Sequence, residues 1–106
     1  MKKIEVILPC FNEELNIPIV HDKILEATAG SIHNFNITFI DDGSTDKTWE
    51  VINHLCKKNK TTNGIRLSRN FGHQAAIEAG LKNVTDASVI IMDADGEDRP
   101  EELNDF

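Results

Sequence analysis

The chain has 106 residues, which limits it to one small domain. Its 18 acidic and 11 basic residues give a formal net charge of -7, a sign unsuited to nucleic acid, whose phosphates need basic partners. No apolar run reaches the length of a membrane-spanning helix, about 20 residues. Because Cys10 and Cys56 have no metal-binding spacing, we expect free thiols in a reducing, cytoplasmic setting.

Short apolar runs alternate with helical patterns along the whole chain. The runs predict strands at residues 4–8, 35–40, 65–67 and 87–92. Apolar residues at helical spacing predict helices at 16–30, 45–59, 73–82 and from Pro100 onward. Pro9 is expected to end the first strand, because it lacks the N–H of an interior ladder, and Ser44 or Thr45 to cap the second helix. This order predicts an α/β fold, a mostly parallel sheet with helices on both faces.

Polar side chains follow all four predicted strands. In open parallel sheets, ligands bind beyond the carboxyl ends of the strands. The sequence therefore predicts a binding site at this edge of the sheet. The residues concerned are Pro9, Phe11, Asn12, Glu13, Asp41, Asp42, Ser68, Arg69, Asn70, Asp93 and Asp95.

Asp93 and Asp95 flank a single residue at the end of an apolar strand. In extended backbone both carboxylates face the same side, and such oxygen ligands suit Mg2+ or Mn2+. An ordinary acidic turn is the alternative. We interpret the acidic residues that follow as a solvated loop and the first turn of a helix: Glu97, Asp98, Glu101 and Glu102.

Three further side chains at this edge could contact a ligand. Asp42 could accept hydrogen bonds from a ligand N–H, and Arg69 could pair with a phosphate as a bidentate donor. His73 could donate to a phosphate, although an exposed histidine is the simpler interpretation. The sequence has neither a G-x-x-x-x-G-K-[ST] loop nor a G-x-G-x-x-G motif, so any phosphates would be held by a metal.

Four segments in this order resemble the family 2 glycosyltransferases, and within them the dolichyl- and undecaprenyl-phosphate sugar transferases. The segments are VILPCFNEE at 6–14, IDDGSTD at 40–46, SRNFG at 68–72 and MDAD at 92–95. The resemblance implies a GT-A fold, a Rossmann-like nucleotide-sugar-binding domain. It also implies transfer, with inversion, of a sugar from a UDP- or GDP-sugar to an acceptor such as a polyprenyl phosphate or a growing glycan.

The resemblance also implies roles for individual residues. They are Pro9, Phe11 and Glu13 in the base pocket, Asp42 at the base edge, Arg69 on the nucleotide, Asp93 at the ribose or metal, and Asp95 on the Mg2+ or Mn2+ that bridges the diphosphate. The acceptor-side base of the family comes from a later segment. We therefore expect residues 1–106 to be the N-terminal, donor-binding part of a longer domain.

Two other functions fit the same residues. One is a non-catalytic nucleotide-binding or regulatory module, and the other is a receiver-like signalling domain with an acidic Mg2+ pocket. A receiver-like domain places its acidic pair after the first strand, where this chain has Asn12 and Glu13. We also expect self-association through exposed sheet edges, and a location in the cytoplasm, at the cytoplasmic face of a membrane for a lipid acceptor.

Overall fold

The computed structural model describes residues 2–96 and 99–105. Within these ranges the strands are β1 (Lys3–Cys10), β2 (Asn34–Asp41), β3 (Thr62–Arg66) and β4 (Ser88–Ile91). The α-helices are α1 (Asn16–Thr28), α2 (Thr48–Lys58) and α3 (His73–Leu81), and a 3₁₀ helix covers Pro100–Asp105. All strand pairs are parallel, in the order β3-β2-β1-β4. The predicted α/β class is confirmed.

Helices cover both faces of the sheet, because successive side chains of a strand point to opposite sides. From β1, Val6 and Leu8 enter a core formed with α1, α2 and the 3₁₀ helix. Ile7 points the other way and packs with Ile40 and Ala76 beneath α3. The larger core thus lies on the α1 side, and α3 covers part of the opposite face.

The expectation that Pro9 ends the first strand is wrong. β1 continues to Cys10, and Pro9 pairs in register with Ile40. The Ile7 carbonyl accepts a hydrogen bond from Met92 N–H at 2.9 Å, on the β4 side of β1. Pro9 lies two residues further and faces that same side, where β4 has already ended. Its missing N–H therefore leaves the pairing of β1 with β2 intact.

The cap predicted for the second helix is also wrong. α2 begins at Thr48, after Lys47, and the side chain that accepts the N–H of Thr48 is that of Asp46, at 2.9 Å. Ser44 and Thr45 instead bond to Asn12 in the preceding loop. Contacts between loops therefore take these hydroxyl residues away from the helix end that they would otherwise cap.

The remaining sequence predictions concern the acidic end and the thiols. Glu101 and Glu102 are exposed in the first turn of the 3₁₀ helix, whereas Glu97 and Asp98 lie outside the described residues. Both cysteines are free, as expected. In the ranges that the structure describes, we find no helix with the length and apolar character needed to span a bilayer.

Candidate functional site

The carboxyl ends of the strands border a cleft of about 220 Å³. A cleft of this size is smaller than a typical drug-sized pocket of about 300–1,000 Å³ and suits one ring system. Of the residues to which the resemblance assigned a role, Pro9, Phe11 and Asp42 line it, whereas Glu13, Arg69, Asp93 and Asp95 do not. Its lining residues are Pro9, Cys10, Phe11, Asp42, Asn70, Gly72 and His73.

A larger cleft of about 410 Å³ lies on the α3 face, toward the opposite ends of the strands. Its single carboxylate, Glu5, already accepts a hydrogen bond from the Thr38 hydroxyl at 2.8 Å. The smaller cleft is the better candidate, because convergent polar groups from separate loops meet there.

Asn12 joins the loop after β1 to the loop after β2. Its N–H donates to the Ser44 hydroxyl at 2.8 Å, and its side-chain oxygen accepts the N–H groups of Thr45 at 2.8 Å and Asp46 at 3.3 Å. Its φ is 53°, a left-handed conformation that asparagine tolerates better than most residues. These bonds fix the position of the adjacent Phe11 relative to β2.

Glu13 lies in the loop between β1 and α1 and does not line the cleft. Its N–H donates to the Thr48 hydroxyl at 2.9 Å, and its carboxylate accepts from the Asn16 side chain at 3.1 Å.

Asp46 forms another contact between the loop after β1 and the loop after β2, by accepting the Glu14 N–H. Burial acts to raise the Asp46 pKa, but hydrogen bonds from Thr48 and from the Glu14 N–H outweigh it and hold the pKa below its usual value.

Asp42 and Gly43 hold the loop that follows β3. We call residues 68–72 the arginine loop. The buried Asp42 carboxylate accepts the N–H of Phe71 at 2.8 Å and the N–H of Gly72 at 3.1 Å. Gly43 has φ +70°, and a Cβ there would lie 2.2 Å from the carbonyl carbon of Arg69. The loop thus contacts the β2–α2 turn backbone to backbone.

Arg69 projects from the arginine loop into solvent. Its guanidinium carbon lies 4.8 Å from the centroid of the Phe71 ring. Among the described residues it forms no ion pair with a carboxylate. An arginine stacked in this way keeps its N–H donors available for a phosphate.

Asp93 and Asp95 point outward just past β4. Met92 and Ala94 are buried, whereas Asp93 is partly exposed and Asp95 is exposed, so the two carboxylates alternate with core residues. The Nε2 of His73, at the start of α3, lies 3.8 Å from Asp93 Oδ1. The acidic pair therefore lies beside the helix whose first residue lines the cleft.

The donor set fits a hard divalent cation. Within residues 2–96 and 99–105, no group of three or more His, Cys, Asp or Glu side chains could hold a metal ion. Mg2+ is usually bound by one or two carboxylates, with water and substrate phosphates as its other ligands.

Cys10 lines the cleft but is not built as a nucleophile. Burial, followed by the negative charges of Asp41 and Glu13, raises the pKa of its thiol far above the usual range. The Sγ donates to the Leu8 carbonyl at 3.2 Å. The thiolate needed for nucleophilic attack is therefore strongly disfavoured.

Sequence reasoning placed Asn12 at this edge of the sheet without a specific role, and it did not single out Gly43 or Gly72. Two signals were available. An asparagine in a loop adopts φ > 0 more often than most residues, and a glycine after two aspartates marks a turn that another backbone can approach closely. Neither signal says which loop would make that approach.

The family model described as "Glycosyl transferase family 2" matches residues 5–106. The chain belongs to glycosyltransferase family 2. It is 38% identical over 92 residues to the putative glycosyltransferase CsbB of Bacillus subtilis, covering 87% of this chain and 28% of that protein. It is 33% identical to an undecaprenyl-phosphate 4-deoxy-4-formamido-L-arabinose transferase of Photorhabdus laumondii, covering 97% of this chain and 32% of that protein. The chain thus spans less than a third of these relatives.

Two solved structures share the fold. The mannosyltransferase PcManGT from Pyrobaculum calidifontis, in complex with GDP-Man and Mn2+, superposes with a TM-score of 0.78 at 23% identity, over 97% of this chain and 31% of that one. S. aureus TarS 1–349, in complex with UDP-GlcNAc, gives 0.75 at 26% identity, over 97% and 29%. These likenesses confirm the expected GT-A fold.

Proposed function

We propose that this chain is the donor-binding part of an inverting glycosyltransferase that moves a sugar from a UDP- or GDP-sugar to an acceptor. The observation that carries the proposal is the meeting of a base-sized cleft, a stacked arginine and an exposed carboxylate pair at one edge of the sheet. Family membership supports transfer over the receiver-like alternative. TarS in complex with UDP-GlcNAc supports a nucleotide sugar as the donor.

The base would lie in the cleft beside Pro9 and Phe11. The Phe11 ring is 44% exposed and offers an apolar face for stacking. Asp42 would contact the base edge, because a carboxylate has about four acceptor positions and two are occupied by loop N–H groups. Glu13 would support the base pocket from the loop before α1, and Arg69 would pair with the nucleotide phosphates.

Mg2+ or Mn2+ would be held by Asp95 together with Asp93. When bound, such an ion stabilises the negative charge that develops on a diphosphate leaving group. Support comes from the exposed carboxylate pair and from the Mn2+ in the PcManGT complex. His73, 3.8 Å from Asp93, would help to orient that carboxylate.

Nucleotide titration tests the proposal. Calorimetry with UDP and GDP should detect binding of at least one nucleotide, and Mn2+ should strengthen it. EDTA should reverse that gain, and Asp95→Asn should abolish it. Asp86→Asn is the matched control, because it removes an exposed carboxylate in the α3–β4 loop. If neither nucleotide binds in the presence of Mn2+, the proposal is wrong.

We further propose a polyprenyl phosphate as the acceptor, at the cytoplasmic face of a membrane. The name of the Photorhabdus laumondii relative supports this acceptor. A phosphate anion is already a nucleophile and needs no general base to remove a proton. Donor turnover that depends on added undecaprenyl phosphate, assayed with a preparation that includes the remaining length found in relatives, would support it. Equal turnover without the lipid would exclude it.

We also propose that this chain self-associates through β4. Among the described residues β4 pairs only with β1, and its Val89 and Ile91 side chains are 36% and 45% exposed. An unpaired apolar edge favours pairing with a second copy. Light scattering should show a mass that rises with concentration, and Ile91→Lys should reduce it. A wild-type monomer at every concentration would contradict the proposal.

A further inference from the structure

The Asp42 carboxylate is hydrogen-bonded to the backbone of the arginine loop. The residue is 4% exposed, and its two oxygens accept separate N–H groups, from Phe71 at 2.8 Å and from Gly72 at 3.1 Å. Hydrogen bonds to an ionised carboxylate are roughly twice as strong as neutral ones. The two bonds bridge 29 and 30 residues of sequence.

The rest of the arginine loop has few other anchors. The last backbone bond between β3 and β2 joins Leu67 N–H to the Asp41 carbonyl at 2.9 Å. Beyond it, Asp42 is the side chain, among the described residues, that accepts hydrogen bonds from the loop. Gly43 allows the close approach, because its Cα faces the Arg69 backbone without a Cβ.

We infer that Asp42 is a positioning residue: its carboxylate holds the arginine loop in place over the cleft before a nucleotide arrives. This inference rests on the proposed nucleotide-binding function. With the loop fixed, Arg69 and the start of α3 are already in position when the ligand binds. No conformational entropy is then lost in ordering them on binding. Releasing the loop should weaken the binding of every nucleotide to the same extent. Loss of a base-edge contact alone would instead change the preference between UDP and GDP.

The substitution Asp42→Asn separates these roles. An amide has one acceptor oxygen, and its NH2 group faces an N–H donor where the second oxygen had been, so at least one of the two loop bonds is lost. The control is Asp86→Asn, the same chemical change at an exposed loop position. Amide hydrogen exchange is measured without nucleotide, and UDP and GDP affinities are measured separately.

In Asp42→Asn, the Phe71 and Gly72 amides should exchange about tenfold faster, and the Kd values for UDP and for GDP should each rise by at least a similar factor. Unchanged exchange at both amides would overturn the inference, as would an altered UDP-to-GDP ratio without faster exchange. Exchange is read without ligand. If the wild type binds neither nucleotide, the proposed function fails while the exchange data still decide the role of Asp42.

A wild-type measurement covers the case in which Asp42→Asn does not fold. The N–H groups of Arg69 and Asn70 form no hydrogen bond among the described residues, whereas those of Phe71 and Gly72 do. The second pair should exchange at least about tenfold more slowly than the first. Equal intrinsic-rate-corrected exchange at all four amides would overturn the inference.

Discussion

The side-chain oxygen of Asn12 accepts the Thr45 N–H at 2.8 Å, while Asn12 itself has a φ of 53°. This hydrogen bond joins the loop after β1 to the loop after β2. The φ angle shows that Asn12 forms it from a backbone conformation that most residues avoid, at a cost of roughly 1–2 kcal/mol. The side chain thus offsets the backbone cost and sets the position of Phe11 at the cleft.

Substitutions of Asn12 should separate these two contributions. Asn12→Asp keeps the acceptor, Asn12→Gly keeps the backbone freedom, and Asn12→Ala loses both. We expect Asn12→Ala to lower the free energy of unfolding by about 1–3 kcal/mol, Asn12→Gly by less, and Asn12→Asp least. Urea denaturation measures the order. Equal losses in all three variants would show that neither feature matters separately.

Gly43→Ala should disrupt the arginine loop. Its new Cβ would lie 2.2 Å from the Arg69 carbonyl carbon and 2.3 Å from the Asn70 nitrogen, so one backbone must move. We expect a destabilisation of about 2–4 kcal/mol and loss of nucleotide binding in calorimetry.

Gly96→Ala is the matched control for Gly43→Ala. Gly96 also has a positive φ, +88°, but nothing among the described residues lies within 4 Å of a Cβ there. Gly96→Ala should lower the free energy of unfolding by only about 1 kcal/mol, the cost of placing alanine in a left-handed backbone conformation. If the two variants are equally destabilised, the contact between Gly43 and the arginine loop does not contribute to stability.

Two arginines stacked on aromatic rings provide a test of the nucleotide site. The Arg69 guanidinium carbon lies 4.8 Å from the Phe71 ring centroid, and that of Arg66 lies 5.7 Å from the ring of Trp49 on α2. Arg69→Lys should raise the Kd for nucleotide about tenfold, because an ammonium cannot form the bidentate phosphate contact. Arg66→Lys should leave the Kd within about twofold. A similar loss of nucleotide affinity in both variants would show that Arg69 does not bind the nucleotide directly.

Hydrophobic patterning was sufficient to predict the fold. The alternation of Val6, Ile7 and Leu8 between the two faces of β1 required helices on both sides, and the structure has them. The pattern failed at β3, which was predicted at 65–67 and runs from Thr62 to Arg66. Thr62 is polar but buried, because it bonds to a side chain from α1. A contact across 41 residues cannot be read from local sequence.

The edge of the sheet that borders the cleft was also predictable, but the hydrogen bonds between its loops were not. Parallel strands bring their carboxyl ends together whatever the loops contain. Whether Asp42 faces a ligand or a neighbouring loop depends on how the turn after β2 meets the arginine loop, about 30 residues later. The roles assigned to Glu13, Asp93 and Asp95 by resemblance stay predictions.

His21 should make stability depend on pH. It is 1% exposed, its Nε2 lies 2.8 Å from the Thr62 hydroxyl, and its Nδ1 has no partner among the described residues. Burial lowers its pKa from 6.5, and the charge of Asp22 only partly opposes this. As pH falls below 6.5, the unfolded chain binds a proton that the folded chain does not, so stability drops by up to about 1.4 kcal/mol per pH unit.

Urea midpoints between pH 8 and 5 should show this drop in the wild type and in His54→Gln, an exposed control, but a smaller drop in His21→Gln. Parallel profiles for all three proteins would contradict the prediction.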